Sequence, residues 1–197
     1  MSVLSKNKLV SLINSESGFV VTPILDNSQI GYASIDLRLG TDFKVSIQTR
    51  EPVIDVTCRP VQTFFQNTYR DFGEKFNLYP NQLVLGSTFE YIRIPKTHIG
   101  LLTTRSSINR LGISINSIVQ PGYSGTLTIE LCNNGENTIG LITGMRIVQL
   151  MLLELSDTLE NDYINSQSKY ICNTGPAVSG FRGDLELDTL EKIRRCL

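Results

Sequence analysis

At 197 residues, with 18 Lys and Arg against 19 Asp and Glu and a formal net charge of −1, the chain fits a single domain and lacks the general positive field that holds nucleic acid. It has no apolar run near the roughly 20 residues that cross a bilayer and no secretory apolar region at its start, so no membrane contact and a cytoplasmic location are expected. Four well-separated cysteines (Cys58, Cys132, Cys172, Cys196) and one histidine, His98, offer no metal-ligand spacing, so reduced thiols and a zinc-free protein are expected.

In chain order, Leu4, Leu9, Val10, Leu12 and Ile13 predict a short amphipathic helix ending before Gly18. The segment 31–40 alternates like a strand. Residues 57–75 are polar with Phe64, Phe65, Tyr69 and Phe72 scattered among them, and read as an insertion loop packed by its own aromatics; a base-stacking platform is the alternative. Strand texture returns at 82–90 and again, as a dense aliphatic run, at 142–155. Turns are expected at 79–81, 120–125, 133–135 and 143–144. His98, between Pro95 and Gly100, reads as a turn or strand-edge residue rather than an acid or base. A second helix is predicted over 184–196, with Leu187, Leu190 and Ile193 on one side. Many short strands and two terminal helices predict a mainly β fold, a sandwich or barrel of antiparallel sheets.

Two segments carry chemistry. Arg105 to Gly112 (RSSINRLG) sets two cations and two adjacent hydroxyls within about one helical turn, whose first amides lack intrahelical partners. A phosphate fits there, and Ser106 and Arg110, at i and i+4, share a face. For this segment alone, a capped turn with a surface arginine is the simpler reading. The second is the strand 126–132, where Leu127, Ile129 and Leu131 take one face and Thr128, Glu130 and Cys132 the other. If Glu130 is buried it needs a partner, and Arg110 is available. A half-exposed strand carrying Glu on its outer face is an equal alternative.

These pieces resemble the dCTP deaminases of the trimeric dUTPase-like superfamily. The matching stretches are Ser34 to Gly40 (SIDLRLG), Arg105 to Gly112, Pro121 to Leu131 (PGYSGTLTIEL), Gly144 to Gln149 (GMRIVQ), Ser168 to Tyr170 (SKY) and Gly175-Pro176; they occur in the family's order. The resemblance implies a distorted jelly-roll or β-barrel of the dUTPase-like type. It implies one domain over 1–197, with a core at about 20–156 and a C-terminal lid and tail at about 157–197. It also implies a homotrimer with sites shared at subunit boundaries, and zinc-free deamination of dCTP to dUTP and ammonia with Mg²⁺ accompanying the triphosphate. The H-x-E and P-C-x-x-C segments of zinc deaminases are absent.

Carried over by position, Glu130 is the family's catalytic glutamate, general base and then acid, with Ser106 positioning water and Arg110 holding the carboxylate. Arg105, Ser106 and Ser107 fall on the triphosphate, with the backbone of Ile108 and Asn109 nearby. Thr128, Ile129 and Glu130 read the cytosine edge partly through main chain. Tyr163, Lys169 and Asn173 fall near the tyrosine, lysine and glutamine that close over the phosphates; a disordered polar terminus is the alternative for this tail. The departure is Gln120, where many members carry aspartate. An amide cannot accept a proton usefully but can bond a ribose hydroxyl, so deamination is less affected than pyrophosphate release. The competing readings are a dUTP or dCTP pyrophosphatase and a nucleotide-binding regulatory trimer without turnover.

Overall fold

A computed structural model of the chain describes residues 2–15, 18–50, 53–54, 61–157, 170–181 and 185–196. Helix α1 (Lys6–Ile13) forms at the expected place, and its apolar side, through Leu9, enters the core together with the preceding Leu4. Eleven strands follow: β1 (Val20–Thr22), β2 (Ile35–Arg38), β3 (Asp42–Ser46), β4 (Phe65–Tyr69), β5 (Lys75–Leu78), β6 (Leu83–Arg93), β7 (His98–Thr104), β8 (Asn116–Val119), β9 (Ser124–Cys132), β10 (Ile139–Ile142) and β11 (Arg146–Glu154). One helical turn, α2 (Ser106–Asn109), separates β7 from β8, and α3 (Leu185–Cys196) comes last.

The strands form three antiparallel groups. β1, β6, β3 and β4 lie side by side with β9 also paired to β6; β2, β11, β7 and β8 form a second sheet; β10 pairs β5. The mainly β architecture is as expected. It is distorted by register breaks between Ser87 and Tyr91 along β6–β9 and between Arg146 and Val148 along β11–β2, and the described strands stay in open sheets rather than closing into one barrel.

The alternation read from sequence sets what is buried. Leu127, Ile129 and Leu131 of β9 face inward, where they join Phe43 of the same sheet and Leu37, Leu102 and Leu150 of the second sheet in one continuous core. Phe43 and Phe76 stack there with ring centroids 4.1 Å apart.

The expected insertion loop over 57–75 is corrected in its described part. Residues Val61–Phe64 make a 3-10 turn, and Phe65–Tyr69 is a strand paired in register with β3, Asp42 opposite Tyr69 and Ser46 opposite Phe65. Its polar side chains misled the reading because β4 is an edge strand with no buried face beyond the turn before it. The four aromatics share no platform. Phe64 is buried, Tyr69 is exposed, and exposed Phe72 packs on Phe89 at a centroid distance of 5.1 Å.

Candidate active site

β9 runs from the core to the surface of a cavity of about 480 Å³, and its outward side chains form part of the wall. Thr128 and Glu130 line it, Gln120 reaches it from the turn before β9, and Leu85 of β6 lies opposite Glu130 in register. Glu130 is exposed in the single chain, on the strand face that the period of two assigns to it. Ile129 is fully buried, so only its backbone is available to a ligand.

Val61, Phe65, Leu102 and the β8 residues Ser117 to Val119 add to the wall, and a further part comes from the C-terminal segment 170–181. Cys172 N–H donates to the Ser124 carbonyl at 2.7 Å, and Thr126 N–H donates to the Asn173 carbonyl at 2.8 Å. The Thr128 hydroxyl accepts the Ala177 amide at 3.1 Å, and the Tyr170 hydroxyl accepts that of Gly180 at 2.9 Å. The segment is thus strapped along the free edge of β9, and Tyr170, Ala177 and Ser179 face the cavity. Asn173 meets β9 through its carbonyl. Tyr163 and Lys169 lie outside the described residues.

Gly125 makes the strapping feasible. Its φ is +145°, and a Cβ there would meet the Asn173 carbonyl oxygen at 2.9 Å.

Ser106 and Arg110 sit elsewhere in the chain. The α2 turn begins at Arg105, whose N–H donates to the Ile147 carbonyl at 3.0 Å, and buried Ile108 anchors it to the core. Ser106, Ser107, Asn109 and Arg110 are exposed around it. The N-cap is Arg105, without a side-chain bond, so neither serine caps the turn. Asn109 Oδ1 accepts the Ser114 hydroxyl at 2.8 Å. The turn ends at Gly112, with φ +97°, where the loop through Gly135 passes so close that a Cβ would lie 3.1 Å from its amide. Within one chain, Arg110 makes no ion pair with Glu130, and Ser106 and Arg110 do not line the Glu130 cavity. The pairing expected from sequence is therefore not an intrachain one.

Two buried networks escaped the sequence reading. Asp36 of β2 stands opposite Gln149 of β11 and accepts its side-chain amide at 3.1 Å. The same carboxylate lies 3.3 Å from Arg105 Nε and 3.5 Å from an Arg146 nitrogen. Deeper, Glu90 is fully buried and accepts Gln29 Nε2 at 2.9 Å and the Arg38 amide at 2.8 Å. Burial pushes its carboxyl above the ordinary value, against the pull of those bonds. A polar residue inside each apolar strand was the available signal; its partners lie on other elements distant in sequence.

His98 opens β7 and is buried, with Nδ1 2.8 Å from the Thr97 hydroxyl; desolvation lowers its pKa. It does not line the cavity. Cys132 and Cys172 are free thiols; Cys58 and the Cys196 side chain lie outside the described residues. No described helix is long and apolar enough to cross a membrane.

A family model described as dCTP deaminase-like matches residues 3–155. The dCTP deaminase of Natronomonas pharaonis is 37% identical over 180 residues, covering 87% of this chain and 91% of that protein. The dCTP deaminase, dUMP-forming, of Methanobrevibacter smithii is 32% identical over 193 residues, covering 95% and 99%. Among solved structures, the 2′-deoxycytidine 5′-triphosphate deaminase from Agrobacterium tumefaciens superposes with a TM-score of 0.60 at 20% identity. That match covers 76% of this chain and 47% of the other, so the likeness is one of fold and this chain spans about half that length.

Proposed function

The chain belongs to the dCTP deaminase-like family, and on that premise we propose that it hydrolyses dCTP to dUTP and ammonia, with Glu130 as the proton-transfer group. The observation that carries this reading is the position of Glu130: an exposed carboxylate on the rim of a nucleoside-sized cavity, beside Thr128 and Gln120, with no ion-pair partner of its own among the described residues.

The chemistry follows from what a carboxylate can do twice. Glu130 takes a proton from water as the oxygen attacks C4 of cytosine, then returns it to the amine, which leaves as ammonia. Ser106 holds that water by hydrogen bonding, and Arg110 pairs with the Glu130 carboxylate. Arg105, Ser106 and Ser107 take the triphosphate; Thr128 and the Ile129 backbone read the base; Gln120 bonds the ribose hydroxyl; Tyr163, Lys169 and Asn173 belong to the closing tail. Mg²⁺ would accompany the triphosphate, held by the phosphate oxygens.

Because Ser106 and Arg110 do not line the Glu130 cavity, the set is completed between copies of the chain in a homotrimer. The test is complementation. Glu130→Gln and Arg110→Ala, each inactive alone in ammonia release from dCTP with Mg²⁺, regain activity when unfolded and refolded together, since some mixed sites carry both intact residues. Activity of wild-type protein with no recovery in the mixture refutes the shared site, and no ammonia from wild-type protein refutes deamination.

A second product has support from the relatives named dUMP-forming, whose identity to this chain is as high as 37%. Gln120 argues the other way, since its amide cannot activate water for attack on the α-phosphate. Chromatography of the products decides: dUTP alone for simple deamination, dUMP with pyrophosphate for the combined reaction.

A further inference from the structure

Asp36 is the least expected charge in the sheet that carries the α2 turn. It is only 8% exposed, yet two hydrogen-bond donors, Gln149 Nε2 and Arg146, and a third, ion-paired group, the Arg105 guanidinium, converge on its carboxylate. One negative charge therefore sits between two guanidinium groups, and the nearer belongs to the residue that starts α2. Arg105 forms an ion pair with Asp36, its Nε 3.3 Å from the carboxylate, and its Nη1 donates to the Arg146 carbonyl at a long 3.5 Å. Its Nη2 makes no hydrogen bond among the described residues.

A guanidinium paired with a buried carboxylate beside Nε and hydrogen-bonded through Nη1 is a restrained donor: the fork is planar, so fixing the Nη1 side restricts where Nη2 can point. We propose that Asp36 is a positioning residue that aims Arg105 at the phosphates of the nucleotide, with Gln149 and Arg146 holding the Asp36 carboxylate in turn. This rests on the reading that Arg105 to Ser107 bind the triphosphate. It adds to that reading a reason for the charge buried in β2 and for the Arg and Gln of β11.

The proposal makes a prediction of sign. Asp36 carries the same charge as the phosphates, so as a mere source of field it opposes binding, and Asp36→Asn would tighten it. As an aligner it favours binding, and the same substitution weakens it. The site is partly open to solvent and salt screens the repulsion, so alignment is expected to win.

In the full-length protein, Asp36→Asn is expected to raise the KM for dCTP and the inhibition constant of inorganic tripolyphosphate by about tenfold each, with kcat within about twofold. In an Arg105→Gln background the same substitution changes neither constant further, because the group it aims is gone. Lower constants in Asp36→Asn, an equal effect in both backgrounds, or a fall in kcat with KM unchanged would each overturn the proposal. Where Asp36→Asn does not fold, Arg105→Lys carries the test. A single ammonium cannot serve Asp36 and an anion in the fixed geometry of the fork, so KM must rise; an unchanged KM overturns the proposal. Tripolyphosphate binding measured by calorimetry needs no turnover. A wild-type chain that bound it but left dCTP intact would sink the deaminase reading while leaving Asp36 testable.

Discussion

Gly125→Ala is the substitution whose cost can be worked most directly from the structure. A side chain at φ +145° is strained by about 1–3 kcal/mol wherever the strap lies. The added Cβ also falls 2.9 Å from the Asn173 oxygen and 3.1 Å from its nitrogen, both backbone atoms that cannot swing aside. The cheaper response is for the strap to lift. That sacrifices the Cys172–Ser124 and Thr126–Asn173 backbone bonds, each worth about 0.5–1.5 kcal/mol net, and part of the loss is regained as chain entropy. The total is about 2–5 kcal/mol, which at about 2–4 °C per kcal/mol for a chain of this size is a fall in Tm of about 5–15 °C. Calorimetry reads the Tm, and hydrogen exchange reads the location: the Thr126 and Cys172 amides lose protection, while those of β9 bonded to β6 keep theirs. A Tm within about 1 °C of wild type together with unchanged exchange at Thr126 would refute the reasoning.

Three further outcomes are expected. Ile108→Ala should cost about 2–4 kcal/mol in denaturant unfolding, and because Ile108 anchors the turn bearing Ser106 and Arg110, it should also depress kcat/KM for dCTP in protein that remains folded. Glu130→Gln should reduce ammonia release by about 10²–10⁴-fold while leaving the melting temperature near wild type, since the side chain is exposed. Glu90 gives a pH signature. Burial raises its folded-state pKa, so its contribution to stability is fully present below the unfolded value and falls as pH rises through the folded value. Unfolding midpoints of wild type minus those of Glu90→Gln should decline with rising pH across that window; a flat difference would mean the carboxyl is not perturbed.

The strands were legible wherever one face met the core. β9 could be read residue by residue, Leu127, Ile129 and Leu131 in and Glu130 out, because the apolar period is unbroken. β4 could not, because its solvated edge position leaves only the weak preference of its aromatics for a pleated surface. The phosphate-binding candidates at 105–110 stood out because they are contiguous. Asp36 and Gln149 stand 113 residues apart, and only the β2–β11 register puts them side by side. The Glu130 and Arg110 pairing expected from sequence is not visible in a single chain: both residues are exposed, and in the proposed trimer a second copy would join them.

The strap has a consequence for solution behaviour. β9 pairs β6 along one side, and the other side is an edge that residues 172–177 cover over its first half. Beyond Thr128 that edge carries Glu130, a charge of the kind that deters another strand from adding on. A chain cut after residue 169 would bare the amides and carbonyls from Ser124 to Thr128, in a stretch whose side chains are uncharged. Such a fragment should self-associate by strand addition, with growth in particle size by light scattering at concentrations where the full chain stays dispersed. The segment that walls the cavity is thereby also the one that keeps the sheet from finding neighbours.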